Sequence, residues 1–332
     1  KSFSEDNVFT INNVKIEGIV DLNFSREKYL NKAFMDSFEI LMSKVLLTKD
    51  QSKVGNIKLK EIKSLINNFQ ILKESYSKNK YKLNLKIVYE DSKVKKFLSE
   101  KNISFSEPEP ISVLLYPVLF FEDEIQNFNE NYFYTEWLKV KIKNEIINFI
   151  LPVEDLEDIS KIVHMKNKIE ELNESSFIEK YDVKNYVFLL MDYQDKKLNV
   201  YVKTNFENSK ISKNFIYNLN KIENETELDF ILKDLKLKIT DIWKEQNLIN
   251  LLMPLSINLK FEHKNLTNLN TLRKNFEKIS IIDNYTLEEF DINDSFFKIY
   301  YYGSPKKFKS EMLKFGYGLK NNQGFWQIYL NE

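Results

Sequence analysis

The residues able to carry chemistry are few. Two imidazoles, His164 and His263, and no cysteine occur in 332 residues. Absence of thiols excludes disulfides, thiolate metal sites, a cysteine nucleophile and an acylated lipoprotein cysteine together. Neither histidine stands in HExxH or HxH spacing. His164 ends a predicted helix and His263 follows a predicted strand, so each reads as a surface or cap residue, with no nucleophile and orienting carboxylate legible beside it. The six glycines, Gly18, Gly55, Gly303, Gly316, Gly318 and Gly324, form neither GxGxxG nor GxxxxGK[ST], which argues against a phosphate cradle. Glu122-Asp123-Glu124 follows an apolar run and reads either as a strand-end site for a ligand or hard cation, or as a solvated acidic turn. Tyr132, Tyr134 and Trp137 carry faces that stack on sugars or on a partner, although rings of this size commonly fill cores. The candidate ligand or partner surface is therefore Glu122, Asp123, Glu124, Tyr132, Tyr134 and Trp137. No catalytic, cofactor-binding or metal-ligating residue is expected.

Lys306, Lys307, Lys309, Lys314 and Lys320 lie near Tyr300–Tyr302, Phe325 and Trp326. That combination can make a basic aromatic platform for RNA, but the order is not that of the RNP signature, and the aromatics serve equally as core and sheet-face residues. The count of 49 Lys+Arg against 49 Asp+Glu leaves no global field to draw the chain onto nucleic acid or anionic lipid. Lysine counts carry little weight here. Ala33 is the only alanine, and Arg26 and Arg273 are the only arginines, the mark of an AT-rich coding sequence in which Lys, Asn and Ile are defaults.

The elements that position these residues follow from periodicity. Val14, Ile16, Gly18, Val20 and Leu22 alternate as a strand. Ser25 caps a helix with Leu30, Phe34, Phe38, Leu41 and Val45 on one face. Leu59, Ile62, Ile66, Phe69 and Leu72 predict a second helix, and Tyr81, Leu83, Leu85, Ile87 and Tyr89 a strand with one wet face. Glu107-Pro108-Glu109-Pro110 marks a boundary. Ile111–Phe121 is apolar on both phases and reads as a central strand interrupted near Pro117. Helices are expected around Trp137–Ile147, Leu156–Val163 and Asn173–Tyr181. Strands follow at Val187–Met191, Leu198–Val202 and Phe215–Leu219, then a long helix along Leu228–Trp243. The last eighty residues read as β-α-β-β-α-β, with a final strand at Trp326–Leu330 after an Asn321–Gly324 turn, the order of a ferredoxin-like split βαβ domain. The fold class is thus mixed α/β, or α+β, with three serial sheet-plus-helix domains: residues 1–106, 107–250 and 251–332.

Phe9-Thr10-Ile11-Asn12-Asn13-Val14, the helix from Ser25, Tyr81–Tyr89, Ile111–Val118, Asn131-Tyr132-Phe133-Tyr134-Thr135-Glu136-Trp137 and Leu151-Pro152-Val153-Glu154-Asp155 together resemble the proteobacterial domain-of-unknown-function family 2066. Its members tend to have an Asn-Pro-Trp-like step and then Leu-Pro-x-x-Asp; this chain has Tyr132 where members tend to have Pro. The resemblance implies an envelope or periplasmic protein with no assigned activity and no catalytic residues to transfer. In fold pattern the chain also looks like the small modules of TolB-type, flagellar-assembly and curli-secretion envelope proteins, which mediate protein contacts. The expectation is a non-enzymatic envelope scaffold or adaptor, its partners other envelope proteins or further copies of itself, without nucleic acid or a transmembrane segment. A start at Lys1 followed by polar Ser2–Asn7 fits a periplasmic form whose signal peptide has been removed. The alternative is a small-molecule or glycan-binding protein using a middle-domain cleft, and a hydrolase is the third possibility.

Overall fold

A computed structural model describes residues 8–143, 145–165, 173, 175–249, 254–263, 265–279, 281–322 and 325–330. The expectations for Ser2–Asn7 and for Gly324 lie outside these residues. In the expected Asn173–Tyr181 helix, Ser175–Ile178 are helical. The protein is a mixed α+β fold with several small sheets.

The chain opens with β1 (Thr10–Ile19), α1 (Arg26–Val45), a 3-10 turn (Thr48–Val54), α2 (Leu59–Leu65), β2 (Ile66–Ser77), β3 (Lys80–Tyr89), α3 (Asp91–Glu100) and β4 (Phe105–Ser106). Ser25 caps α1 by accepting from Lys28 N, satisfying one of the four donors a helix start leaves orphaned. The stripe Ala33, Phe34, Phe38, Leu41, Met42 and Val45 is buried against β1 and β3, whose alternate residues Tyr81, Leu83, Leu85, Ile87 and Tyr89 are buried too. The sheet is antiparallel in the order β1-β3-β2. The expected second helix stops at Leu65; Phe69 and Leu72 belong to β2. Lys78 and Asn79 adopt positive φ of 46° and 59°, a two-residue hairpin turn that folds residues 66–77 back onto β3, so strand pairing overrides a short helical stripe. Gly18 in β1 is required by close approach: a Cβ there would lie 2.0 Å from Tyr29 Cε1, the ring that covers it.

The middle segment contains β5 (Ile111–Phe121), β6 (Glu124–Ile125), α4 (Tyr132–Glu136), β7 (Ile147–Ile150), α5 (Leu156–His164), α6 (Ser175–Ile178), β8 (Tyr186–Gln194), β9 (Lys197–Phe206), β10 (Ser209–Asn218) and α7 (Glu225–Gln246). The sheet runs β10-β9-β8-β5, with β6 and β7 also on β5; β5 is parallel to β7 and β8. Val113–Leu115 of β5 belong to two cores, one on each face. Val113, Leu115 and Leu119 pack with Trp137, Val187 and the apolar stripe of α7. Leu114, Tyr116, Val118 and Phe120 pack with Phe128, Ile162, Phe177 and Phe188. Two corrections follow. The β5–β8 ladder passes through Pro117, which faces Leu189, and continues to Phe121. At 117 the strand has β8 as its one ladder neighbour, which accommodates a residue without an N–H. And the expected Trp137–Ile147 helix ends at Glu136, because Ile147–Ile150 pair with Ile111–Leu114.

The chain ends in β11 (Leu248–Ile249), β12 (Leu255–Glu262), α8 (Leu266–Phe276), β13 (Ile282–Phe290), β14 (Asp294–Tyr301), α9 (Pro305–Lys314), β15 (Tyr317–Asn322) and β16 (Phe325–Leu330). The sheet order is β13-β14-β12-β16-β15. Its first three strands keep the ferredoxin-like arrangement, but the expected single last strand is a hairpin: β16 lies parallel to β12 and β15 takes the edge. The alternation Tyr317/Leu319, both buried, carries the added strand. The β1-β3-β2 and β12-β14-β13 sheets are the same split βαβ arrangement used twice.

The chain divides into two compact units, residues 1–108 with 244–332, and residues 109–243. The first and third expected domains therefore belong to one unit. A single apolar cluster runs from Phe9 and Leu41 to Phe297 and Ile328, and β4 pairs with β11. Polar groups secure the same closure. Lys244, fully buried, donates to Ser43 O at 2.6 Å and Leu46 O at 2.7 Å, so a cation sits where the carbonyl end of α1 is negative. Glu107, nearly buried, is held between Lys95 at 2.7 Å and Lys307 at 2.6 Å; Lys95 also meets Asp91, and Lys307 meets Glu311. Burial pushes Glu107 up, yet Lys95 and Lys307 outweigh it and hold the carboxyl below its ordinary range. Burial wins at Asp91, whose pKa is raised.

Lys244→Met should lower stability by about 2 kcal/mol, read from urea midpoints, by leaving two buried carbonyls unsatisfied. Glu107→Gln should cost about 3 kcal/mol at neutral pH because it removes the carboxylate shared by the buried Lys95 and the part-exposed Lys307, leaving them only Asp91 and Glu311. Folding lowers the Glu107 pKa, so its ionised form contributes stability above the unfolded value near 4.3, and that contribution is lost as pH falls through the lower folded value. The wild-type and Glu107→Gln midpoints should therefore converge in acid, Asp91 opposing the trend in both proteins.

Candidate functional site

The residues expected to form one ligand or partner surface are not brought together. Glu122 and Asp123 are the two turn residues between β5 and β6, with φ of 51° and 69°, and are exposed. Asp123 accepts from Gln194 Nε2 at 3.0 Å. Glu124 pairs in the short β6 ladder. Asn131 is buried, caps α4 through Phe133 N and donates to Pro117 O at 2.7 Å. That anchor aims the following turn at both faces of the sheet. Tyr132 and Trp137 pack into the α7-side core, Tyr132 donating to Asp229 at 2.8 Å. Tyr134 packs into the opposite core, stacks on Phe128 and donates to Pro152 O at 2.8 Å. Burial followed by the neighbouring carboxylate raises the Tyr132 pKa. The Leu151–Asp155 segment has a structural role as well. Glu154 accepts from Phe128 N at 2.9 Å, and Asp155 caps α5. Asp158 in that helix accepts from Tyr116 at 2.8 Å and Lys180 at 2.9 Å inside the second core.

The histidines divide. His164 binds the Ser160 carbonyl through Nδ1 at 2.7 Å at the end of α5, a helix-terminal role. His263 is 4% exposed, and its Nε2 lies 2.8 Å from Ser295 Oγ. A serine and an imidazole at this distance are the first two parts of a hydrolytic triad. The third is missing among the described residues. His263 Nδ1 has no hydrogen-bond partner among the described residues, and Asp291 accepts from Asn293 N and Asp294 N at the β13–β14 turn. Ser295 is fully buried beneath the Phe290–His263 stack, where no substrate carbonyl can reach Oγ. Among the described residues no three His, Asp or Glu side chains converge to hold a metal. In the basic aromatic group of residues 300–326, Lys307 and Lys314 pair with Glu311, Lys320 lies over the Tyr329 ring, Tyr301 is buried against Phe308, and Tyr302 donates to Asp283.

What remains available is surface, and β2 stands apart. It is an edge strand, yet Phe69, Ile71, Leu72 and Tyr76 are 45%, 36%, 44% and 55% exposed. Phe69, Ile71, Glu74 and Tyr76 lie opposite Ile87, Leu85, Leu83 and Tyr81 in the ladder, hence on the core side. α1 lies chiefly over β1 and β3 and reaches β2 through the Phe34–Phe69 ring contact. Leu72 is the extra residue of a bulge between Ile71 and Lys73, a device that re-aims side chains at sheet edges. One ionised group is fixed among these apolar side chains. Glu74 accepts from Arg26 at 2.7 and 3.0 Å and from Tyr81 at 2.7 Å, and these bonds pull its pKa down to about 2. The edge is thus a rigid apolar strip with a charged, oriented centre. Reading residues 59–72 as a helix hides it; the Lys78-Asn79 turn was the available signal.

A second feature lies in the other unit. Lys236 of α7 is buried, donates to Val140 O at 2.5 Å and stands 5.5 Å from the Trp137 ring centre. Its place next to Leu235 and four residues after Leu232 is the sequence signal, blurred because lysine is this chain's default surface residue.

No protein-family model and no curated protein matches the chain. No described helix is long and apolar enough to cross a membrane.

If the Ser295–His263 pair is structural, a fluorophosphonate probe leaves Ser295 unmodified in the folded protein by peptide mass spectrometry. Ser295→Ala then costs about 1 kcal/mol of stability, the worth of one hydrogen bond.

Proposed function

We propose that this protein is a non-enzymatic scaffold or adaptor of the bacterial envelope, acting through protein contacts made along the β2 edge. The observation that carries the reading is the row of large apolar side chains on an edge strand, Phe69, Ile71, Leu72 and Tyr76, around a fixed Glu74–Arg26 pair. Contiguous exposed apolar surface of this kind marks interaction sites in soluble domains. An edge strand adds backbone donors and acceptors for a partner strand, and the side chains on its two faces supply selectivity. The partner is another envelope protein or a second copy of the chain. The envelope setting, a periplasmic one, rests on the resemblance of residues 9–14, 81–89, 111–118, 131–137 and 151–155 to family 2066.

Size-exclusion chromatography with light scattering, and a photo-crosslinker placed at Leu72 in envelope extract, test this. Self-association should appear as a concentration-dependent mass, and a heterologous contact as a discrete adduct from position 72 that is absent when the crosslinker is at Lys233. Phe69→Asp and Leu72→Lys change exposed positions and should weaken association at least about tenfold with unchanged circular dichroism. A monomer that yields no adduct from position 72 would overturn the proposal.

A further inference from the structure

The unit of residues 109–243 contains a cleft of about 240 Å³ whose walls are apolar at Pro110, Ile142, Ile146 and Phe149 and whose charged lining is Lys141, Glu145 and Lys236. Its composition is unusual in one respect. Lys236 is 5% exposed, and buried lysines are rare unless a carboxylate faces them. Here the partner of Nζ is a neutral one, the Val140 carbonyl; the rings of Trp137 and Phe149 lie 5.5 and 6.0 Å away. The charged groups acting on Lys236 are Lys141, which repels it, and Glu145, which attracts it. Glu145 is half exposed and stands 3.5 Å from Lys141, so the cation nearer the solvent already shares that carboxylate.

Two features then converge on one chemistry. The cleft presents two cations and one carboxylate, and beside them an apolar wall at Pro110, Ile142, Ile146 and Phe149. A negative group entering against Lys236 would supply the missing charge in a region of low dielectric, where a charge-assisted hydrogen bond is stronger than in water. An apolar body would occupy the space between Ile142, Ile146 and Phe149. We propose that this cleft is a binding site for a small organic carboxylate, its carboxylate on Lys236 with Lys141 at the mouth and its apolar portion against Pro110, Ile146 and Phe149. The site is independent of the β2 edge, and either can fail without the other.

Burial, and then Lys141, lowers the Lys236 pKa to about 8, which gives the proposal a signature. The ammonium form binds the anion, so affinity should fall by about tenfold between pH 7 and pH 9 as Lys236 loses its proton, whereas a site held by an ordinary exposed lysine near 10.4 would scarcely change. Acetate, butyrate and benzoate are the probes, with benzamide as the neutral counterpart of benzoate, titrated by isothermal calorimetry and by tryptophan fluorescence.

Benzoate or butyrate should bind saturably, with benzamide at least about tenfold weaker. Lys236→Met, which keeps the stem and removes the charge, should abolish binding and its pH dependence. Lys141→Gln changes an exposed side chain, serves as the variant that folds in any event, and should weaken binding about threefold to tenfold. Absence of saturable binding by all three carboxylates at pH 7, equal binding of benzoate and benzamide, or an affinity unmoved between pH 7 and pH 9 would each overturn the site.

Discussion

The unit formed by the two ends of the chain depends on charges that residues 1–108 cannot satisfy alone. α1 ends in carbonyls that lie inside the protein, and an ammonium supplied two hundred residues later, from Lys244, meets them. Glu107 is likewise a buried anion flanked by Lys95 from its own segment and Lys307 from α9. An isolated buried charge costs several kcal/mol, whereas removing one member of a satisfied pair costs about 3 to 5. The return of residues 244–332 is thus enforced electrostatically as well as by the shared apolar cluster. Two copies of the split βαβ arrangement, far apart in sequence, make one body for this reason.

The same rule explains why residues that look chemical are structural here. A buried polar group must find a partner, and the side chains that do this well, Asn, Tyr, Asp, Ser and His, are those from which catalytic sites are built. Asn131 ties a helix start to the Pro117 carbonyl. Asp158 collects Tyr116 and Lys180 in the core beneath β5, and burial followed by that carboxylate raises the Tyr116 pKa, so its hydroxyl remains a donor. Ser295 and His263 satisfy each other under Phe290. Distance alone would class this last pair as a nucleophile and its base. Ser295 is buried and His263 Nδ1 has no partner among the described residues, so two parts of a triad are present and the orienting carboxylate is not.

Periodicity carried much of the architecture. The α1 stripe, the alternation of β3, the doubly apolar β5 and the long stripe of α7 were legible because each pattern is long and its buried positions are determined by one packing partner. Short patterns failed. Residues 59–72 satisfy helical spacing, and Trp137, Val140 and Ile147 are compatible with it, but pairing with β3 and with β5 decided both. The β15–β16 hairpin was hidden because Tyr317 and Leu319 follow closely on α9. Domain assignment from linkers located the Pro-rich step at 107–110 and could not reveal that the chain comes back, since the interactions that join residues 43 and 244, or 107 and 307, leave no local trace. The candidate surface was drawn from residues close in sequence: Tyr132, Tyr134 and Trp137 are neighbours there, but a helical turn pinned by Asn131 sends them to opposite faces of the sheet.

The edges of the three larger sheets differ in how they are shielded. β10 is ten residues long and pairs with β9 without a bulge, the geometry most open to unwanted pairing, and it carries Lys213 between Ile211 and Phe215 on the core side of the strand, where a lysine blunts association. β13 has two bulges and the acidic residues Asp283, Glu288 and Glu289. Both look defended. β2 also has bulges, but its core-side residues Phe69, Ile71 and Tyr76 and its bulge residue Leu72 are exposed, and its core-side charge, Glu74, is bonded to Arg26 and Tyr81. A chain that uses lysine as its default surface residue has placed exposed aromatics along this strand. Exposure of this kind carries an aggregation cost, and a partner that covers it supplies the compensating burial.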